Sequence, residues 1–420
     1  MTLSGLEQGA ITIASVLGLL SIGVPVSVAM ITVAGAAMWL VAGFDFSLAN
    51  FRSLPYSVTS NYTYVVVPMF VLMGVLSAKA GIIADLYRAA HRFMSRVRGG
   101  LYFSTILASA GFGAASGSTV VASSVFTTIA LPEMKRFNYN LGVSAGCIAA
   151  AGTLAALIPP SIIMVILAVL TDQSIGTLLM AGLIPGLLTA LIYIVGIRFF
   201  VLFRPSWAPP TNETYSWREK FQALSRIWTV LLLVLLVMGG IYMGFFAPSA
   251  AGAIGAAGAA LIAAFSRRLS LKDFWESLLE AARLSTVLFF VFIGGLLLSR
   301  ALLIMGFISD LNDMILAYGI SESTFLAIII LMYFVLGMFI DSVSVMVITL
   351  SFVFPLSQSL GLNPVWFSVL LIKMVEIAAI TPPVGLNLYA VMAASKGEVS
   401  ANQIFKGILP FSWNSGFWQY

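Results

Sequence analysis

Long apolar runs alternate with short polar or proline-bearing intervals along almost the whole chain. They fall near residues 10–23, 25–41, 62–77, 101–130, 141–170, 175–203, 227–245, 248–265, 284–307, 324–360, 365–394 and from 404 onward. A membrane-spanning helix needs about 20 apolar residues, so the pattern predicts an all-α polytopic membrane protein. Pro25 separates the first two runs, which are either one kinked helix or two short ones.

The charges orient these runs. Lys79, Arg88, Arg92, Arg96 and Arg98 crowd one interval. Arg204, Arg218, Lys220 and Arg226 crowd a second, and Arg267, Arg268, Lys272 and Arg283 a third. Basic loops stay in the cytoplasm. The intervals 172–174, near Ala247 and 310–322 are poor in Lys and Arg and are predicted on the outer face. This walk closes only if run 101–130 enters and leaves on the cytoplasmic side, because Lys135 and Arg136 follow it. That run predicts a re-entrant hairpin, and 324–360 predicts its counterpart from the other face. The connectors 79–98 and 307–322 are amphipathic and predict helices along the membrane surface. Asp45 and Arg52 flank an outer loop and read as solvated, and Arg300 reads as a side chain that snorkels to the interface.

Composition narrows the function. Of the 420 residues, 60% are hydrophobic and 9% charged, with a mean hydropathy of +1.04; a soluble domain is about 25% charged. The single Cys147 excludes a disulfide framework, and with the single His91 it leaves no transition-metal site of ordinary ligand type. The net charge of +5 belongs to the cytoplasmic loops and not to nucleic-acid binding. No Walker A sequence is present, so energy for any transport comes from an ion gradient or another chain. Membrane depth holds no constellation of His, Cys or clustered carboxylates that an enzyme would need. Glu7 precedes the first run where a signal peptide carries basic residues, so that run reads as a retained span.

The two halves repeat at a spacing of 223 residues: Pro132 matches Pro355, and Pro159-Pro160 matches Pro382-Pro383. AGLIPG ending at Gly186 then resembles KGILPF ending at Phe411. The charge walk gives the halves opposite orientations. Two inverted-topology repeats with broken helices and a midplane site are the plan of many secondary transporters.

A Pro-Pro pair inside an apolar run frees backbone carbonyls that lipid cannot satisfy, so they must meet protein or a cavity. Such carbonyls suit Na⁺, while the following half-helix offers N–H groups and a positive dipole end to an anion. The stretches 157–161 and 380–387 are therefore site candidates, although kinks are common in membrane helices. The small, hydroxyl-rich stretch 113–119 is a candidate hairpin tip or a packing surface. Its counterpart, 337–344, carries Asp341, an acid at membrane depth and so a functional candidate; its structural alternative is a buried pair with Lys373. Lys373 and Glu376, three apart on one helix, either pair with each other or face substrate or a partner.

The stretches 116–140, 150–188 and 381–397, with IGVPVSVAM near the start, resemble the large membrane subunit of tripartite ATP-independent periplasmic (TRAP) transporters over nearly the whole chain. The resemblance implies a bacterial inner-membrane protein that works with a small four-helix membrane subunit and a periplasmic binding protein delivering a carboxylate. It also implies Na⁺ coupling and an elevator motion of the hairpin-bearing part against a fixed scaffold. The chain then divides into scaffold helices (1–61), repeat one (62–203), a cytoplasmic loop with scaffold helices (204–283) and repeat two (284–420). On the matching motifs, Na⁺ ligands are expected from Ser116, Gly117, Ser118, Asp341, Ser342, Thr381, Pro382 and Gly385. Substrate contacts are expected from Thr153, Pro159, Pro160, Ser161 and Asn387. The competing expectation is a stand-alone Na⁺- or H⁺-coupled dicarboxylate or citrate-type carrier that needs no partner. The stretch after Pro410 departs from the family, which usually has a final apolar helix there.

Overall fold

In the computed structural model, which describes residues 3–416 apart from 212 and leaves the side chains of 114–116 and 412–416 outside the description, all regular structure is helical. The N-terminal part holds α1 (Gly5–Ser21), α2 (Val26–Ala42) and α3 (Phe44–Ser60). Pro25 thus separates two helices. The expected loop around Asp45 and Arg52 is instead helical, with both side chains exposed. Its polar residues suit a surface helix, and Ser47 donates to the Gly35 carbonyl at 3.1 Å, tying α3 to α2.

The first repeat runs α4 (Val66–Lys79), α5 (Ile82–Met94), α6 (Gly100–Ser116), α7 (Thr119–Arg136), α8 (Leu141–Leu157), α9 (Ile162–Leu170) and α10 (Ile175–Phe203). Two helices follow: α11 (Trp217–Tyr242), with a π turn at Leu235–Gly239, and α12 (Pro248–Phe265). The second repeat runs α13 (Leu271–Ile304), α14 (Phe307–Ala317), α15 (Glu322–Phe339), α16 (Ser342–Ser359), α17 (Pro364–Ala379), α18 (Leu386–Ala394) and α19 (Ala401–Gly416). Lys272 and Arg283, expected in a loop, lie within the 34-residue α13, which begins right after a Ser270 capping box. Among the described residues seven helices are long and apolar enough to cross a membrane; α8 and α9, bent by 43° at Pro159-Pro160, make an eighth candidate.

The repeat holds element by element. Shifted by 223 residues, α7 superposes on the bounds of α16, and α5, α6, α8 and α9 fall on α14, α15, α17 and α18 within two residues at either end. Punctuation explains this. Asn140 and Asn363 are repeat mates that cap α8 and α17 by accepting backbone N–H bonds, each worth about 1 kcal/mol. Ala155 and Ala378 are also mates; Gly113 of α6 closes on the first and Gly337 of α15 on the second, the close backbone approach that small residues permit between membrane helices. Both Pro-Pro bonds are cis. The halves also exchange contacts: α9 packs on α16, and α18, its mate, packs on α7. Reciprocal packing of this kind relates the halves by a pseudo-two-fold axis.

The amphipathic connectors appear as α5 and α14. α5 buries Ile82, Ile83, Leu86 and Tyr87, and its buried Asp85 accepts from Arg88 at 2.8 Å and from Arg268. The segment before α11 lies against it: Glu213 accepts from the Tyr215 hydroxyl at 2.6 Å and sits 3.1 Å from His91 Nε2. The Tyr215 bond, and after it His91, hold the Glu213 carboxyl below the ordinary carboxylate range. A depressed folded value stabilises the folded arrangement above the ordinary range, and the benefit fades as pH falls through the depressed value. Protection of residues 213–216 from backbone hydrogen exchange, taken relative to the intrinsic rate at each pH, should therefore be full at neutral pH and fall as pH drops below the carboxylate range. Glu213→Gln should exchange about fivefold faster at neutral pH and lose that pH response; an unchanged response would assign it to another group.

Candidate functional site

The break between α6 and α7 is forced at Gly117, whose φ of +60° is left-handed. A Cβ there would lie 2.6 Å from Ile162 N and 3.0 Å from the Pro160 carbonyl oxygen. The first hairpin tip is therefore seated against the broken helix of its own half. In the second half, Gly385 N donates to the Met338 carbonyl at 3.1 Å, seating the broken helix against hairpin two. Each half carries the same device built from different residues.

The two tips share one cavity of about 300 Å³. Gly117, Ser118 and Thr119 line it from hairpin one, Asp341 and Ser342 from hairpin two, and Leu386 and Asn387 from the start of α18. Val71 and Val75 of α4 and Leu284, Val287 and Leu288 of α13 form an apolar wall. Sequence reasoning passed over these wall residues, because nothing separates them from lipid-facing neighbours except that α4 and α13 occupy matching places in the repeat.

The two tips differ in sign. Ser118 begins α7 without a side-chain cap, so the first-turn N–H groups of 119–121 are left without that partner where those residues line the cavity. Gly385 likewise begins α18 without a cap. Two positive helix ends thus face the space. Asp341, the repeat mate of Ser118, begins α16 and accepts from Ser344 N at 3.1 Å, which leaves carboxylate capacity for another partner. Among the described residues Asp341 is the only ionisable one lining the cavity. Asn387 is 0% exposed, and among the described residues neither its amide oxygen nor its amide nitrogen has a partner. A buried amide unsatisfied at both ends in a cavity wall marks a place where a polar ligand fits. Carboxylate, hydroxyls and amide, with no His or Cys, form a hard donor set suited to a monovalent cation such as Na⁺.

The remaining expected residues lie outside this lining. Pro159 and Pro160 are buried in the break between α8 and α9, and Ser161 caps α9 by accepting from Met164 N at 3.3 Å. Thr381 donates to the Ile377 carbonyl at 2.7 Å and closes α17, while Pro382 is half-buried beside it. Thr153 turns from the cavity toward α10, its hydroxyl 3.3 Å from that of Tyr193 and donating to the Ala150 carbonyl at 2.7 Å. The side chain of Ser116 lies outside the described residues.

Lys373 and Glu376 do not pair with each other or with Asp341. Lys373 donates to Thr189 Oγ1 at 3.0 Å and lies 5.8 Å from the centre of the Tyr193 ring. Glu376, 1% exposed, accepts from Ser342 Oγ at 3.4 Å. Helix α10 and hairpin two draw the two side chains apart, a tertiary effect that an i,i+3 spacing cannot reveal.

Residues 13–414 match a family model described as "Tripartite ATP-independent periplasmic transporter, DctM component". The chain is 32% identical to the C4-dicarboxylate TRAP transporter large permease protein DctM of Pseudomonas aeruginosa, over 83% of this chain and 82% of that protein. It is 30% identical to the sialic acid TRAP transporter large permease protein SiaM of Vibrio cholerae, over 94% and 91%. In fold it resembles the Alcanivorax borkumensis YdaH transporter, with a TM-score of 0.62 at 15% identity, covering 88% of this chain and 86% of that one.

Proposed function

Because this chain belongs to the DctM component family of tripartite ATP-independent periplasmic transporters, a multi-pass permease of the bacterial inner membrane and not an enzyme, we propose that it couples Na⁺ entry to import of an organic carboxylate. A periplasmic binding protein delivers the carboxylate, and a small membrane subunit completes the assembly. The hairpins and broken helices move as one elevator body past the remaining helices.

One observation carries this reading: both hairpin tips and the second broken helix converge on one cavity that presents a single carboxylate and two uncapped helix ends. Asp341, with Ser118 and Ser342 nearby, holds the cation. The first turn of α7 and the Asn387 amide receive the carboxylate, as helix ends do for anions. The apolar wall excludes water and strengthens both attractions. The broken helices, whose freed carbonyls cannot face lipid, keep the cavity lined with protein.

The test is uptake into proteoliposomes holding this chain with its small subunit, supplied with loaded binding protein. Uptake should require both an inward Na⁺ gradient and the binding protein. Robust uptake by this chain alone would overturn the tripartite reading in favour of a stand-alone carrier, and indifference to Na⁺ would overturn the coupling. Asn387→Ala should raise the substrate concentration for half-maximal uptake about tenfold, the worth of one lost ligand hydrogen bond, with a smaller effect on maximal rate. An unchanged half-saturation would remove Asn387 from the site.

A further inference from the structure

A second cavity, of about 460 Å³, opens at the other end of α8. Asn140, Gly142, Arg204, Trp207, Gln403 and Lys406 line it. The sequence folds this corner by close backbone approach. A Cβ on Gly407 would fall 1.9 Å from the Gly142 carbonyl oxygen, and one on Gly146 would fall 2.4 Å from the Gly407 carbonyl oxygen. Helix α19 can lie on α8 at this distance only because these positions lack side chains, and the approach brings Lys406 to the cavity rim. From the opposite side, α10 ends at Phe203 and turns through Pro205–Trp207. The Trp207 carbonyl accepts from Asn140 N at 3.1 Å and from the Tyr102 hydroxyl at 2.9 Å, fixing the turn. Arg204 packs 5.3 Å from the centre of the Trp207 ring.

The result is two exposed cations on one cavity with no acid in its lining. Among the described residues neither Arg204 nor Lys406 makes an ion pair, and Glu133 and Glu398 pair with Arg136 and Lys135 instead. Directly beyond Arg204, an exposed apolar stripe climbs α10 through Phe203, Leu202, Phe199, Val195 and Leu191, at helical spacing. Basic loops place this end of the molecule at the cytoplasmic surface. Paired cations, an interfacial indole and a hydrocarbon-facing stripe in continuous order match the headgroup phosphate, glycerol level and acyl chain of a phospholipid.

We propose that this corner is a binding site for an anionic phospholipid of the inner leaflet, its phosphate held by Arg204 and Lys406 and its chains laid along α10. Basic pockets between membrane helices on the cytoplasmic side take anionic headgroups in this way. The site lies about 25 Å from the hairpin cavity, the length of the 17-residue α8, and does not depend on what that cavity carries. Lys406 has no basic counterpart in the first half, where AGLIPG puts Ala181 in its place. The site therefore belongs to one half alone.

The experiment uses the full-length protein in phosphatidylcholine nanodiscs titrated with phosphatidylglycerol, reading retained lipid by native mass spectrometry and the unfolding midpoint. The wild type should retain phosphatidylglycerol in preference to phosphatidylcholine and unfold at a higher temperature with it. Arg204→Gln with Lys406→Gln should lose that preference by about thirtyfold, the attraction of two basic residues to an anionic surface, while its midpoint in pure phosphatidylcholine stays the same. Arg226→Gln with Lys272→Gln removes the same charge elsewhere on the cytoplasmic face and should keep the preference. Equal loss in both double variants would reduce the effect to diffuse charge and overturn the site. Undiminished retention in the first variant would also overturn it. So would inorganic phosphate in detergent reproducing the stabilisation, since the ligand would then be a free anion.

Discussion

Asp341→Asn should leave folding stability within about 0.5 kcal/mol of wild type and cut Na⁺-driven uptake by at least about a hundredfold. The first half follows from capping: Asp341 accepts from Ser344 N, and Asn caps a helix as well as Asp does. The second follows from charge. Among the described residues Asp341 is the only ionisable one lining the cavity, and under the proposed function it is the cation's one charged ligand; removing such a partner where the pair is shielded from water costs about 3–5 kcal/mol, which exceeds a factor of a hundred in occupancy. Asp341→Ala loses the cap as well and should unfold about 1 kcal/mol more easily. Comparing the two variants separates structure from cation binding. Sodium-dependent uptake at the normal rate in Asp341→Asn would remove the residue from the ion site.

Gly117→Ala should destabilise the protein by about 2–3 kcal/mol and lower uptake at least tenfold. A left-handed backbone costs an L-residue about 1–2 kcal/mol, and the added methyl would sit 2.6 Å from Ile162 N and 3.0 Å from the Pro160 oxygen. Backbone atoms cannot swing away as a side chain can, so the hairpin tip must lift off the broken helix. Gly397→Ala is the control: its φ is +86°, but a Cβ there meets nothing within 4 Å. It should show the strain alone, with uptake kept. Matching losses in thermal unfolding and uptake for the two variants would mean that the contact at the tip contributes nothing.

Most of the architecture was legible because its determinants are punctuation and charge. Proline pairs and basic loops act locally; the proline pair recurs 223 residues later at Pro382-Pro383, whereas the basic interval of the first half faces one poor in Lys and Arg in the second, which is what inverts the two halves. The site was half legible. Gly117, Ser118, Asp341, Ser342 and Asn387 converge on the cavity because a helix break advertises itself through Gly, Ser, Pro and Asp. The side on which a residue faces within an all-apolar helix leaves no such trace. Thr153, on a helix with no polar face, turned out to point at Tyr193. Val287 and Leu288 entered the site from a helix whose apolar residues look alike in sequence. Residues 44–60 hid for the opposite reason: Asp45 and Arg52 suggested a loop, yet both lie in a helix that also holds Pro55. The pairing of Lys373 with Thr189 and of Glu376 with Ser342 depends on which neighbour arrives from another part of the chain.

The unequal tips have an electrical consequence. With Ser118 on one side and Asp341 on the other, the lining offers one carboxylate, and under the proposed function one monovalent cation would balance its charge. Carrying a unit charge through the membrane field changes the free energy by about 2.3 kcal/mol per 100 mV. If the proposed elevator motion carries this cavity across the bilayer, its return without a cation would work with or against the resting voltage, whereas its passage with one cation alone would not.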